Sequence, residues 1–299
     1  MARRRSGARR LITVAIILGL AAVCAMIVHA FLPAPLYIPV GPRAEMSDGA
    51  CMEYGPAAGN RGPLVFIDPG HGGPDPGVIG ATSAGKTVEE KTETLAVALL
   101  LERRLAHDGF RVVLSRVRDT SVVRVTPAYL SGSLYSVAGE HADIEARIDC
   151  ANAVRASLLL SIHFNGYSDP SVGGTATIYD DARPFTSQNL RLADIVQSSV
   201  MSAWARAGIT IPDRGVTADS SLGSPTITAQ AAAYGHILLL GPAAPGWLSH
   251  PTTMPGALSE PLFLADGPEA TLADSALGRN LLAGAYAGAI SRYEAGRRS

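Results

Sequence analysis

Two histidines and two glutamates carry the chemistry that this sequence advertises. His71 comes three residues after the apolar run 64–68, inside Asp-Pro-Gly-His-Gly-Gly, where Pro69, Gly70, Gly72 and Gly73 force a tight, exposed turn. His163 directly follows the apolar run 157–162, as Ser-Ile-His-Phe-Asn. Glu90 opens a helical stretch, and Glu260 lies within the apolar run Ala-Leu-Ser-Glu-Pro-Leu-Phe. Two imidazoles and a carboxylate make a zinc set with a fourth position open to water, and a further carboxylate can take that water's proton. Each residue also has a plainer reading. A histidine after a strand is often a hydrogen-bonded structural group, and a glutamate in a first helical turn complements the macrodipole. Glu260 is harder to dismiss, because a buried carboxylate without a partner is costly. The four together, at one edge of one sheet, favour a site, since ligands of open α/β sheets bind beyond the carboxyl ends of the strands.

The elements that must position these residues alternate. Short apolar runs at 64–68, 110–115, 157–162, 174–179, 236–240 and 257–263 read as strands, and 91–107, 144–156, 189–207 and 275–293 as helices. The expected fold is α/β: a single twisted sheet of about six strands, mostly parallel, with helices on both faces. Residues 63–299 read as one catalytic domain. Two loops, 120–140 and 241–256, are long for such a domain, and long loops in compact domains are commonly functional. Residues 33–62 are rich in proline and glycine and read as an extended linker.

Charge is unevenly distributed. Of 25 basic residues, Arg3, Arg4, Arg5, Arg9 and Arg10 supply five, so the chain after residue 10 sets 20 basic against 26 acidic groups, a net −6. An acidic body argues against nucleic acid as a partner. Residues 11–32 contain no Asp, Glu, Lys or Arg and are long enough to cross a bilayer at about 1.5 Å per residue. Residues 1–32 are therefore expected to be a cytoplasmic basic stub and transmembrane anchor, the alternative being a cleaved signal peptide. Either places the body outside the cytoplasm, anchored in the cytoplasmic membrane or secreted. There Cys51 and Cys150 can pair, two unpaired thiols being the alternative. Three cysteines are too few for a cysteine-ligated metal, which leaves His, Asp and Glu as ligands.

The runs IDPGHGGPDPGVIG, EEKTETLAVALLLERRLAHDGFRVVLSR, RIDCAN, LLLSIHFN and PGALSEPLFLADGPEA resemble, in order, blocks of the zinc-dependent N-acetylmuramoyl-L-alanine amidases of the type-3 family. The resemblance spans about residues 64–293. It implies that His71, Glu90 and His163 bind Zn2+ and that Glu260 is the general acid/base. The reaction implied is hydrolysis of the amide between N-acetylmuramic acid and L-alanine in peptidoglycan, within a bacterial cell envelope. Asp68 and Asn165 are candidates for orienting the histidines, and Asn165 and Arg116 for touching substrate. An activating protein partner stays open. The family usually has Gly before the Phe of its last block, where this chain has Glu260-Pro261-Leu262-Phe263.

Other readings stand beside this one. An amidase fold can serve as a wall-binding or regulatory module, and the same ligands can serve a zinc peptidase of another substrate class. Residues 80–87, Gly-Ala-Thr-Ser-Ala-Gly-Lys-Thr, match a nucleotide-binding phosphate loop, but Pro74 and Pro76 leave no room for the strand that must precede it. His107, His141 and His250 read as solvated, His236 as a structural residue at a strand start, Trp204 as core, and Trp247 as a surface residue able to stack on sugar.

Overall fold

The structure, a computed structural model, describes residues 37–42, 45–54, 62–223 and 228–297. The expected anchor at 11–32 lies outside these residues. Among the described residues, no helix is long and apolar enough to cross a membrane.

Twelve strands are described: β1 (Tyr37–Pro39), β2 (Ala50–Tyr54), β3 (Leu64–Pro69), β4 (Ile79–Ala81), β5 (Thr87–Glu89), β6 (Arg111–Arg116), β7 (Leu130–Ser131), β8 (Leu134–Tyr135), β9 (Leu158–Ile162), β10 (Thr175–Tyr179), β11 (Asp213–Ala218) and β12 (Gly256–Glu260). The helices are α1 (Glu90–His107), α2 (Val137–Ala153), α3 (Thr186–Arg206), α4 (Ala229–Tyr234), α5 (Gly267–Ala273) and α6 (Ala276–Ala295). Eight strands form the main sheet in the order β1-β2-β6-β3-β9-β12-β10-β11. Its centre, β6-β3-β9-β12, is parallel. At one end β1 and β2 run antiparallel, and at the other β10 runs antiparallel to β12 and parallel to β11.

Strand alternation splits the core in two. Val65, Ile67, Leu158, Leu160 and Ile162 face α1, α3 and α6, where Leu101, Leu105, Trp204 and Tyr286 are buried. Phe66, Val113, Leu159 and Leu258 face α2 and the segment from Tyr234 to Met254. Each buried Leu, Ile or Phe here is worth about 1.5–3 kcal/mol, which makes the central strands the rigid base of the molecule.

Four expectations need correction. The sheet has eight strands rather than six. Residues 37–54, read as linker, supply two of them, and Cys51 of β2 is disulfide-bonded to Cys150 of α2 across 99 residues. Residues 236–240 are turns instead of a strand: β12 already has β9 and β10 as neighbours, so Leu238, Leu239 and Leu240 bury themselves against the sheet face. Helix α2 starts at Val137 rather than 144, with the Ser136 hydroxyl accepting from the Gly139 N–H, so loop 120–140 is shorter than expected and holds the β7–β8 hairpin. Residues 80–87 belong to the β4–β5 hairpin, and Lys86 is ion-paired with Asp274 at 2.6 Å, in line with the rejection of the phosphate-loop match.

Candidate active site

The chain leaves β3 through Asp68-Pro69-Gly70-His71, and this turn is built to present one imidazole. His71 has φ +60°, followed by Gly72 at +128° and Gly73 at +59°, a left-handed run that only glycines accept readily. Two buried guanidiniums hold it. Arg147 of α2 donates to Asp68 Oδ1 at 2.6 Å, to Asp143 Oδ2, and to the carbonyls of Pro69 and His71. Arg116, the last residue of β6, donates to the carbonyls of Pro69, Gly70, Lys91 and Arg118 and to the Thr94 hydroxyl. Burial and the neighbouring Arg147 pull Arg116 down to about 10. Burial opposes the ionised form of Asp68, yet Arg147 and the Ser115 and Ser161 hydroxyls hold it at about 2.

On this scaffold three ligand atoms converge. His71 Nε2, Glu90 Oε1 and His163 Nδ1 lie 3.0 Å from one another in each pairing. Glu90 is the first residue of α1, buried, with Oε1 accepting from the Phe164 N–H at 2.9 Å and Oε2 from the Val78 N–H at 2.8 Å. His163 follows β9. Its ring lies where a side chain on Gly70 would stand, 2.3 Å from Cε1, so only glycine fits there. The Asp75 carboxylate takes His71 Nδ1 at 2.7 Å, which turns Nε2 toward the other ligands. Burial opposes charge on His71, but Glu90 and Asp75 push it up to about 10.

This set fits a zinc ion by its donor chemistry and its spacing. Donors about 2.0–2.1 Å from a tetrahedral zinc lie roughly 3.3 Å apart, close to the observed triangle. Glu260 ends β12 on the same cavity, which measures about 1140 Å³. Its Oε2 is buried and receives no hydrogen bond. Burial and the Glu90 carboxylate push its carboxyl well above the ordinary range.

The four strongest sequence candidates are therefore brought together at the carboxyl ends of β3, β9 and β12 and the start of α1. Asn165 also lines the cavity, its Oδ1 accepting from the Gly166 N–H while its backbone ties to Leu262 and Leu264. Arg116 is set apart: it is 0% exposed, spends its donors on the turn and does not reach the cavity, contrary to its reading as a substrate contact. Asp68 sits beneath the turn as the partner of Arg147 and Ser161. His141, read as solvated, lies in α2 and lines the cavity, as does Trp247, which packs on Tyr234 at 5.7 Å between ring centroids. Sequence reasoning missed Asp75, Arg147 and Asp143. The signal for Asp75 was its spacing of four from His71 within a glycine-rich turn.

A family model described as N-acetylmuramoyl-L-alanine amidase, of the type-3 class, matches residues 65–292. The chain belongs to this amidase family. It is 25% identical over 158 residues to the amidase AmiC of Neisseria meningitidis, covering 53% of this chain and 32% of AmiC. It is 34% identical over 118 residues to the germination-specific amidase of Bacillus subtilis, covering 40% of this chain and 45% of that protein. The chain thus spans less than half the length of these relatives. Among solved structures, the catalytic domain of CwlV, an N-acetylmuramoyl-L-alanine amidase from Bacillus (Paenibacillus) polymyxa var. colistinus, aligns at TM-score 0.53 and 25% identity over 78% of this chain and 98% of that one. The CwlD amidase of Clostridioides difficile, solved in complex with the GerS lipoprotein, shares the fold at TM-score 0.56 and 20% identity, over 78% of this chain and 98% of that one.

Proposed function

We propose that this amidase hydrolyses the amide between N-acetylmuramic acid and L-alanine of peptidoglycan, with His71, Glu90 and His163 holding zinc and Glu260 moving the proton. The observation that carries it is the 3.0 Å triangle of His71, Glu90 and His163 on the cavity that Glu260 lines. When bound, zinc supplies Lewis acidity, polarising a carbonyl and lowering the pKa of water to about 7. The residues of the chain do the rest. Asp75 fixes the tautomer of His71, and the Phe164 and Val78 N–H groups fix both oxygens of Glu90, so neither ligand must reorganise. Glu260, as the carboxylate, accepts a proton from the attacking water, and the raised proton affinity that burial gives it holds that proton until it passes to the departing alanine nitrogen. Asn165, on the same wall, is placed to contact the glycan or stem peptide.

The substrate lies outside the cytoplasmic membrane, which agrees with the basic-then-apolar N-terminal segment as an anchor or export signal. A protein activator is a further proposal, prompted by the lipoprotein complex of the CwlD structure. The test is zinc-dependent release of stem peptides from purified sacculi. Free lactyl groups of muramic acid with new L-alanine amino termini are expected. Cleavage within the stem peptide instead would assign the site to another class of zinc peptidase.

A further inference from the structure

A second cluster of metal-ligating side chains stands at the opposite edge of the sheet. Asp180 and Asp219 directly follow Tyr179 and Ala218, which pair in register between β10 and β11, so the two carboxylates lie side by side. Because β10 runs antiparallel to β12, its carboxyl end points away from Glu260. His236, just after α4, sets Nδ1 3.0 Å from Asp180 Oδ2 and 3.1 Å from Asp219 Oδ1. The exposed Asp181 stands within the same group, its Oδ2 accepting from Ser220 Oγ.

Both aspartates are 0% exposed, an arrangement that costs several kcal/mol unless charge is matched. Asp219 is partly served: its Oδ2 accepts from the Ile237 N–H, and the ring N–H of His236 points at its Oδ1. Asp180 is not. Its Oδ1 accepts from the Ala182 N–H, but its buried Oδ2 faces the cluster with no hydrogen-bond donor, lying off the line of the His236 N–H. The nearby Arg183 spends its guanidinium on the carbonyls of Leu240, Gly241 and Thr252. Two buried carboxylates thus share one imidazole, and an orphaned oxygen points into the space between them.

We propose that Asp180, Asp219 and His236 hold a second divalent cation of the zinc type, separate from the catalytic set. One imidazole with two carboxylates is a donor set that suits zinc better than calcium or magnesium, which take oxygen ligands throughout. Bound there, the cation joins the ends of β10 and β11 to the segment that follows α4. That segment contributes Ile237, Leu238 and Leu239 to the cavity wall, so the cation fixes the shape of the substrate cleft from a distance and takes no part in the chemistry. The inference does not depend on the reaction assigned above.

The experiment loads the metal-stripped chain with Zn2+ alone and counts bound zinc by mass spectrometry. In a His163→Ala background, which disables the catalytic set, one zinc per chain is expected to remain, and Zn2+ is expected to raise Tm by several degrees. Adding His236→Ala should abolish both the retained zinc and the shift. Should that variant fail to fold, Asp180→Asn, which preserves shape, is read in the same way. If His163→Ala retains no zinc, or if the added substitutions leave its zinc and Tm response unchanged, the cluster holds only protons and the proposal falls.

Discussion

Among the described residues, two clusters gather three or more histidine and carboxylate ligands, and they are built in opposite ways. His71, Glu90 and His163 pair two imidazoles with one carboxylate and open onto a cavity, and every remaining oxygen of Glu90 is held by a backbone N–H. Asp180, Asp219 and His236 pair two sealed carboxylates with one imidazole, and one oxygen is left without a donor. The first group rests on the parallel centre of the sheet and the second on the β10–β11 pair at its margin, which runs antiparallel to that centre. Under the two proposals above, the difference teaches what separates a reactive centre from a fastening. A reactive centre needs ligands fixed by others and one side open to substrate, whereas a fastening needs ligands from different segments and no opening.

The largest effect that tests this contrast is on catalysis. Glu260→Ala is expected to lower kcat on sacculi by about 10²–10⁴-fold, and His163→Ala to abolish activity together with catalytic-site zinc. His236→Ala should act on Tm instead. A folded His236→Ala as inactive as His163→Ala would erase the distinction. Next comes the support of the reactive group. Arg147→Met leaves Asp68 and Asp143 as buried charges without their partner and should cost about 3–5 kcal/mol in urea unfolding. Arg116→Met, which strands carbonyls rather than carboxylates, should cost less. Reducing the Cys51–Cys150 bond, on the same helix as Arg147, should destabilise by about 2–4 kcal/mol in the oxidised-minus-reduced comparison. Hydrogen exchange should quicken more in α2 than in residues 228–240.

The smallest effect is a pair of opposed pH slopes in metal-stripped protein. Asp68 has a folded pKa of about 2 against an ordinary 3.8, so it stabilises fully above pH 4 and loses about 2 kcal/mol as pH falls from 4 to 2. Asp219 is pushed the other way by burial, to about 6, so its folded form keeps a proton that the unfolded chain has lost. Its contribution is therefore lost as pH rises from 4 to 6. Subtracting the Asp68→Asn and Asp219→Asn profiles from that of the unsubstituted chain should reveal slopes of opposite sign, and equal signs would overturn the electrostatic contrast.

The grouping of His71, Glu90 and His163 beside Glu260 was largely legible in the sequence because each member sits beside a local signal. His71 lies in a glycine turn that no ordinary residue pattern produces, His163 ends an apolar strand, Glu90 opens a helix, and Glu260 breaks an apolar run. The Asp180, Asp219 and His236 cluster was not legible. Asp180, Asp219 and His236 are 56 residues apart at their extremes, and only the pairing of β10 with β11 sets the aspartates together. The polar strand β11 and the marginal strands β1 and β2 were equally silent, because their hydrogen bonds come from neighbours and not from an apolar alternation of their own. Residues 236–240 misled for the reverse reason: an apolar run states that it will be buried and not in what conformation.

Local chemistry, then, was determined by the sequence alone: which side chains can ligate, which turns must be glycine, and the alternating α/β order that sends the strand ends to one edge. Tertiary structure decided how charge is settled. Arg116 became a brace instead of a substrate contact because the turn carbonyls needed a buried donor, and Asp75 became the partner of His71 because the turn folds it back within 2.7 Å. Burial and partner are properties of the assembled space around a group. A linear pattern encodes them only through the fold that it produces.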